Sequence, residues 1–167
     1  MSDLQNSQST AGQSSSAHQD SMGAAEVIEK VFGAPKSGMF QALIDLMAED
    51  TVMEFPFAPL NRPRRVEGKN NIIQYSQAIL GIAPITGYTD IEIHCTIDPD
   101  CVIVEMVGHG TVTATGNAFE RRYVDVLHTR NGRIQFIREY WNPQESPTVK
   151  GYGASRRTEA YQKSSGI

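Results

Sequence analysis

Apolar and polar residues alternate with one rhythm in the first half of the chain and another in the second. From Ala24 the apolar positions Ala24, Val27, Ile28, Val31 and Phe32 recur at helical spacing, with Ser21 placed as N-cap and Gly33-Ala34-Pro35 as the stop. A second helix is predicted over about 37–47, burying Phe40, Leu43, Ile44 and Met47. Residues 51–57 read as a short strand, ended by Pro56 and Pro59. After a Pro/Arg-rich loop, Gly68 precedes a third helix over about 70–80, with Ile72, Tyr75, Ser76 and Ile79 on one face.

Beyond residue 90 the period shortens to two. Ile91, Ile93, Cys95 and Ile97 alternate with Glu92, His94 and Thr96, as in a half-buried strand. Asp98-Pro99-Asp100 turns the chain into a long strand over 101–115, and Gly116-Asn117 offers the next turn. A final pair, 119–129 and 133–141, is joined through Asn131-Gly132, a dipeptide whose two residues tolerate the positive φ of a tight hairpin. Helices followed by a meander of strands predict an α+β fold, three N-terminal helices packed in a strongly curved antiparallel sheet. A sheet that curls round its helices encloses a pocket, where small-molecule sites form.

The ends of the chain differ from its middle. Residues 1–21 are dominated by Ser, Gln, Asn, Thr and Gly and cannot bury enough surface to offset their ordering entropy, which predicts a flexible tail. Residues 146–167 are polar and glycine-containing and predict a second tail, leaving one domain over 22–145.

Charge narrows the function. A net charge of −4 argues against a nucleic-acid partner, which needs a basic face. The pairs Arg64/Arg65, Arg121/Arg122 and Arg156/Arg157 read as solvated or ion-paired surface. No run approaches the roughly 18 apolar residues of a membrane span, and the first residues lack a basic region followed by an apolar core, so a cytoplasmic protein with no membrane partner is expected. Cys95 and Cys101 are too few for a disulfide framework; they are expected reduced, with a cross-hairpin bridge as the alternative. His94, His109 and His128 fall on three predicted strands without metal-ligand spacing, so no metal is expected. Gly108-His109-Gly110 lies inside a strand, where glycines mark a bulge or bend and not a phosphate loop.

The candidate chemistry lies on the last strands. Strand alternation puts Gln135, Ile137, Glu139 and Trp141 on one side, so Glu139 is either buried among apolar groups as a general acid/base or exposed and paired with an arginine. Asp125 shares a side with Arg121, Tyr123 and Leu127; it either forms a carboxyl pair with Glu139 or is neutralised by Arg121. Tyr75 and Trp141 would orient a planar ligand or serve as core aromatics, and Phe55, Phe57 and Tyr123 would shape a pocket. His109 has Glu105 and Val107 on its side, looking either into the cone or out to solvent. The apolar positions Val102, Val104 and Met106 suit a dimer contact or the core.

The segment from Tyr123 to Ile134, continuing into Arg138-Glu139-Tyr140-Trp141-Asn142-Pro143, resembles the closing hairpin of the ketosteroid-isomerase and SnoaL-like branch of the NTF2-like superfamily. The chain is most similar to the phenazine-biosynthesis A/B family, at Glu49-Asp50, Thr89-Asp90-Ile91, Asp98-Pro99, Val104-Glu105, Gly108, Gly110 and the Arg-Glu-aromatic-X-Asn-Pro ending. That resemblance implies a homodimer of cones, each with a deep pocket, working by acid–base chemistry with no cofactor. The family's acidic residue maps onto Glu139 and its third-helix histidine onto Tyr75, a departure, since a tyrosine is a poor proton shuttle at neutral pH. Against ketosteroid isomerase, the general-base aspartate falls at Phe55, the oxyanion-hole tyrosine near Val31, and only the second acid has a counterpart, Asp125. Two functions follow as expectations. One is an acid–base enzyme of isomerase, cyclase or condensing type acting on a small carbonyl-bearing or polycyclic metabolite, with Glu139, Asp125 and Tyr75 as its catalytic groups. The other is a non-catalytic protein that binds a small molecule.

Overall fold

The computed structural model describes residues 22–145; the two expected tails and the Ser21 cap lie outside the described residues. Helix α1 (Ala24–Gly33) begins after Gly23, which makes no side-chain cap bond, and buries Ala24, Val27, Ile28 and Val31. A 3-10 turn (Lys36–Gly38) leads into α2 (Met39–Leu46), which is shorter than the sequence suggests because Met47 already opens β1 (Met47–Glu54). A three-residue strand β2 (Arg65–Glu67) precedes α3 (Lys69–Ile82), and β3 (Ile85–Cys95), β4 (Cys101–Thr111), β5 (Ala118–Arg130) and β6 (Arg133–Trp141) follow. All six strands form one sheet in the order β2-β1-β6-β5-β4-β3.

The meander β3 to β6 is antiparallel, but β1 joins β6 in parallel. A parallel neighbour cannot come from a tight turn; here it comes from β6, beyond the β3–β5 meander. Thr51 marks where β1 bends onto β6. Its buried hydroxyl is 2.7 Å from both the Ala48 and Ile134 carbonyls, and its own carbonyl accepts the Gly68 N–H at 2.8 Å. These contacts satisfy polar groups where the ladder breaks between Met47 and Val52.

Two bulges set which side chains face inward. In β3, three steps from Thr89 to Glu92 oppose two steps on β4, and Asp90 takes a positive φ of 51°. In β6, the register against β5 shifts by one after the Asn131-Gly132 turn, so Ile134 and Ile137 both point inward and are buried. The interior is then continuous: α1 lies against Val102 and Val104 of β4, Leu127 of β5 and Ile134 and Ile137 of β6. Val102, Val104 and Met106 are core and cavity wall, so none is free for a dimer contact. Cys95 and Cys101 are both free thiols.

Candidate active site

The concave face of the sheet and the first two helices enclose a cavity of about 160 Å³. Ile28, Val31 and Phe32 come from α1, Phe40 and Leu43 from α2, and Val104, Met106, Leu127 and Ile137 from the sheet. Into this apolar wall project the carboxyls of Asp125 and Glu139. The two residues are direct partners across β5 and β6, beside the Leu127–Ile137 pair. Residues opposite one another on a sheet face stand about 5 Å apart at Cβ, so the two acids share one small volume. Without the β6 bulge, Asp125 would instead oppose Arg138.

Each carboxyl keeps some accessible surface, because the cavity reaches it, yet each is surrounded by protein at longer range. One Asp125 oxygen, Oδ1, is buried without a hydrogen-bond partner. Burial pushes Glu139 up to about 7, against the pull of the Arg121 charge. Asp125 is raised well above the usual carboxyl range by burial first and by Glu139 second. The pair therefore retains protons that solvated carboxyls would have lost at neutral pH.

This arrangement has a measurable cost. Protons held by the folded pair are released by the unfolded chain in the ordinary carboxyl range, so the unfolded state binds fewer protons as pH rises. Stability from the pair is complete below that range and is lost as pH climbs through about 7. Urea unfolding is expected to show a loss of at least about 2 kcal/mol between pH 5 and pH 8. Glu139→Gln should remove much of that slope; an identical slope in the variant would mean that Glu139 is not held protonated.

The other expected site residues are distributed unevenly. Trp141 and Tyr123 are buried partners on β6 and β5, one step from the acids on the same face. The Tyr123 hydroxyl is raised to about 12 by burial and by the Glu139 charge. Tyr75 is half-buried on α3 with its ring 5.1 Å from Phe55, and Phe55 is core; neither ring is part of the cavity wall. Burial raises the Tyr75 hydroxyl, Arg62 lowers it, and the Glu139 charge also reaches it. Phe57 stands 60% exposed against Tyr140, a neighbour of Glu139 that points to the opposite face. His109 does share a side with Glu105 and Val107, but that side is the outer one. Its ring nitrogens lie 2.7 Å from Thr89 Oγ1 and 3.3 Å from Glu120 Oε1, away from the cavity.

Several lining residues, Lys36, Ile85, Gly87 and Tyr88, carry no signal in the local sequence pattern, and Tyr88 matters most. Tyr88 lines the pocket edge-on to Phe32 and to Tyr123, with ring centroids 6.3 Å and 6.4 Å away. Burial is the main force raising its hydroxyl, and the charges of Glu139 and Asp125 add to it. Alternation counted back from Ile93 puts residue 88 outside; the Asp90 bulge reverses the phase. The signal was Gly108, directly opposite: a Cβ there would stand 2.9 Å from the Tyr123 ring and 3.2 Å from that of Tyr88. Gly108 and Gly110 make room for aromatic rings, and Gly110 also lies where the β3–β4 register shifts, opposite the step from Ile85 to Gly87. At the rim, Lys36 contributes the one basic side chain of the lining among the described residues. Among the described residues no group of three or more His, Cys, Asp or Glu is arranged to hold a metal, and no helix is long and apolar enough to cross a membrane.

Comparison with known proteins agrees with this architecture. An uncharacterised PhzA/B-like protein of Pseudomonas aeruginosa is 32% identical over 122 residues, covering 73% of this chain and 86% of its own. The uncharacterised protein YesE of Bacillus subtilis is also 32% identical, over 120 residues, 72% of this chain and 82% of its own. The crystal structure of an NTF2-like protein from Burkholderia xenovorans superposes with a TM-score of 0.57 at 23% identity, covering 72% of this chain and 90% of that one. The SnoaL-like domain family matches residues 28–137, from the first helix to the strand that carries Glu139. A curved six-stranded sheet closed by helices over an acid-bearing pocket, with these relatives, places the chain in the SnoaL-like family of the NTF2-like superfamily.

Proposed function

We propose that the chain is a cofactor-independent acid–base enzyme of isomerase, cyclase or condensing type, acting on a small carbonyl-bearing metabolite. The observation that carries this reading is the Asp125–Glu139 pair, opposed across two strands at the wall of an apolar cavity. Glu139, held near 7, exchanges protons readily at neutral pH, the property a general base needs. Asp125, kept protonated, is a hydrogen-bond donor where an ordinary aspartate would repel a developing oxyanion. Tyr88 supplies a second neutral hydroxyl on the same wall.

In the proposed step Glu139 removes a proton from the carbon next to a carbonyl. The C–H electron pair forms a C=C bond as the C=O pair moves onto oxygen, where Asp125 and Tyr88 hold it by hydrogen bonds. Returning the proton to another carbon isomerises the substrate. Attack of the enolate carbon on a second carbonyl, whose C=O pair moves onto oxygen and takes the proton back from Glu139, closes a ring or joins two molecules. Tyr75 acts at a distance by polarising the Glu139 side of the site, while Trp141, Tyr123 and Phe55 support the wall. Cavities of about 150 Å³ accept benzene, so a volume of about 160 Å³ favours a single ring over a polycycle. The reading includes a homodimer of cones in the cytoplasm, as the family resemblance implies. Because Val102, Val104 and Met106 are used inside, the subunits would meet through the outer sheet face, where Val124 is exposed. Sedimentation at micromolar concentration should give twice the mass of the 18.4 kDa chain.

The test is proton exchange. Single-ring ketones and enones are incubated with the protein in D₂O, and loss of the α-proton signal is followed by NMR. Exchange well above the buffer rate supports the reading, and exchange no faster than buffer for ligands that bind would end it. The second reading, a non-catalytic small-molecule binder, draws on the position of Tyr75 outside the cavity wall, which leaves the pocket without the family's third-helix shuttle. Binding without exchange would favour it.

A further inference from the structure

Arg121 is a charge in an unusual place. It lies on the inner face of β5, opposite Gly108, and is only 7% exposed. Its guanidinium carbon sits 4.9 Å from the Trp141 ring centroid, 5.5 Å from Phe119 and 5.8 Å from Tyr123. One terminal nitrogen donates to the Tyr123 hydroxyl at 3.3 Å, and Nε is buried with no partner. Arg65 and Arg138, by contrast, pair with Glu54. Among the described residues no carboxylate forms an ion pair with Arg121.

A guanidinium walled in by aromatic rings gains from cation–π contact but has lost most of its water, so enclosed negative charge becomes the means of balancing it. Two carboxyls are available inside. Asp125 is four residues along the same face, and Glu139 lies on the strand and face of Trp141, over which the guanidinium leans. With both acids neutral the enclosure carries +1; with both ionised it carries −1. One proton on the pair makes it neutral.

We propose that Arg121 is the positioning residue of this site: its enclosed charge holds the carboxyl pair at one proton and makes Glu139 the ionised member. This rests on the reading that the pair carries the chemistry, although it is tested without a substrate. The other groups facing the pair leave Arg121 as its buried cation. From β5 comes Tyr123, from β3 Tyr88 and from α3 Tyr75, all with raised hydroxyls that stay neutral. Arg62 acts on Tyr75, and Lys36 stands exposed at the rim. The lining from α1, α2 and β4 is apolar. Arg121 lowers the proton affinity of Glu139, and Glu139 in turn raises that of Asp125.

The experiment is a carbon-13 NMR titration of the side-chain carboxyls in the full chain. Wild type is compared with Arg121→Met, Arg121→Lys and Glu139→Gln. The Glu139 midpoint is expected near 7 in wild type, higher by about one unit or more in Arg121→Met, and largely restored in Arg121→Lys. In Glu139→Gln the ionisation should pass to Asp125, whose midpoint falls towards neutrality. A folded Arg121→Met with an unmoved Glu139 midpoint would overturn the proposal. An Asp125 midpoint left unmoved in Glu139→Gln would overturn it too, and that arm does not depend on Arg121→Met folding. The expected titrations in a protein that exchanges no ketone protons would discard the catalytic reading and leave this one standing.

Discussion

Glu139→Gln is expected to lower turnover by about 10²–10⁴-fold, the usual worth of a positioned general base. The amide matches the carboxyl in size, so Ile137 and Trp141 beside it should keep their buried positions. What it loses is the ability to accept a proton, which belongs to the chemical step and not to binding. The fall should therefore appear in kcat, with KM nearly constant, on whichever ketone the exchange assay selects. Asp125→Asn is the instructive comparison. An asparagine still offers an N–H to an oxyanion, so a loss smaller than that of Glu139→Gln is expected. A larger loss would mean that the two carboxyls have exchanged roles, and full activity in Glu139→Gln would remove it from catalysis altogether.

The second large effect concerns stability. Gly110→Ala is expected to destabilise the fold by about 3 kcal/mol, at the upper end of overpacking penalties. The new methyl would collide with the Pro84 carbonyl oxygen and with the Phe119 ring, whose nearest atoms would stand at 2.5 Å and 2.7 Å. A ring can swing aside, but the Pro84 oxygen is backbone and also accepts the Thr111 N–H. Gly108→Ala should cost less, because the atoms it meets at 2.9 Å and 3.2 Å belong to the Tyr123 and Tyr88 rings. Urea denaturation decides the matter: equal midpoints for wild type and Gly110→Ala would show that β3 yields at Pro84. Against a typical total of about 5–15 kcal/mol, the expected loss is a large fraction.

Much of this was legible in sequence. The Asn131-Gly132 turn and period-two spacing placed Asp125 and Glu139 on facing strands, and the structure sets them opposite one another. Whether the two carboxyls share a face was open in the sequence, because it turns on the β6 bulge, which no local residue pattern announces. Other positions failed for identifiable reasons. In β4 both faces are apolar, with Val102, Val104 and Met106 inside and Ile103 and Val107 outside, so alternation gave no direction for His109. Tyr88 was hidden by a bulge at a residue, Asp90, with no glycine to announce it. Phe57 carries the composition of a pocket residue, but the strand ends at Glu54 and the turn that follows sends its ring outward. Strand β2 is three residues long, and the parallel pairing of β1 with β6 depends on contacts that no local window contains.

That same pairing has a consequence for how the molecule is made. The partner of β1 is the last strand of the described residues to be synthesised: Thr51 closes its hydrogen bond on a carbonyl 83 residues later. Until the segment carrying Ile134 and Ile137 has left the ribosome, β1 has only the three-residue β2 beside it, and the apolar face of α1 lacks the β6 part of its floor. Folding that must wait for such distant contacts is slow and leaves apolar surface open to other chains. The nascent first half is therefore the stretch in which a chaperone would matter most. A chain stopped at residue 132 would lack Glu139 and also the strand on which its own first strand closes.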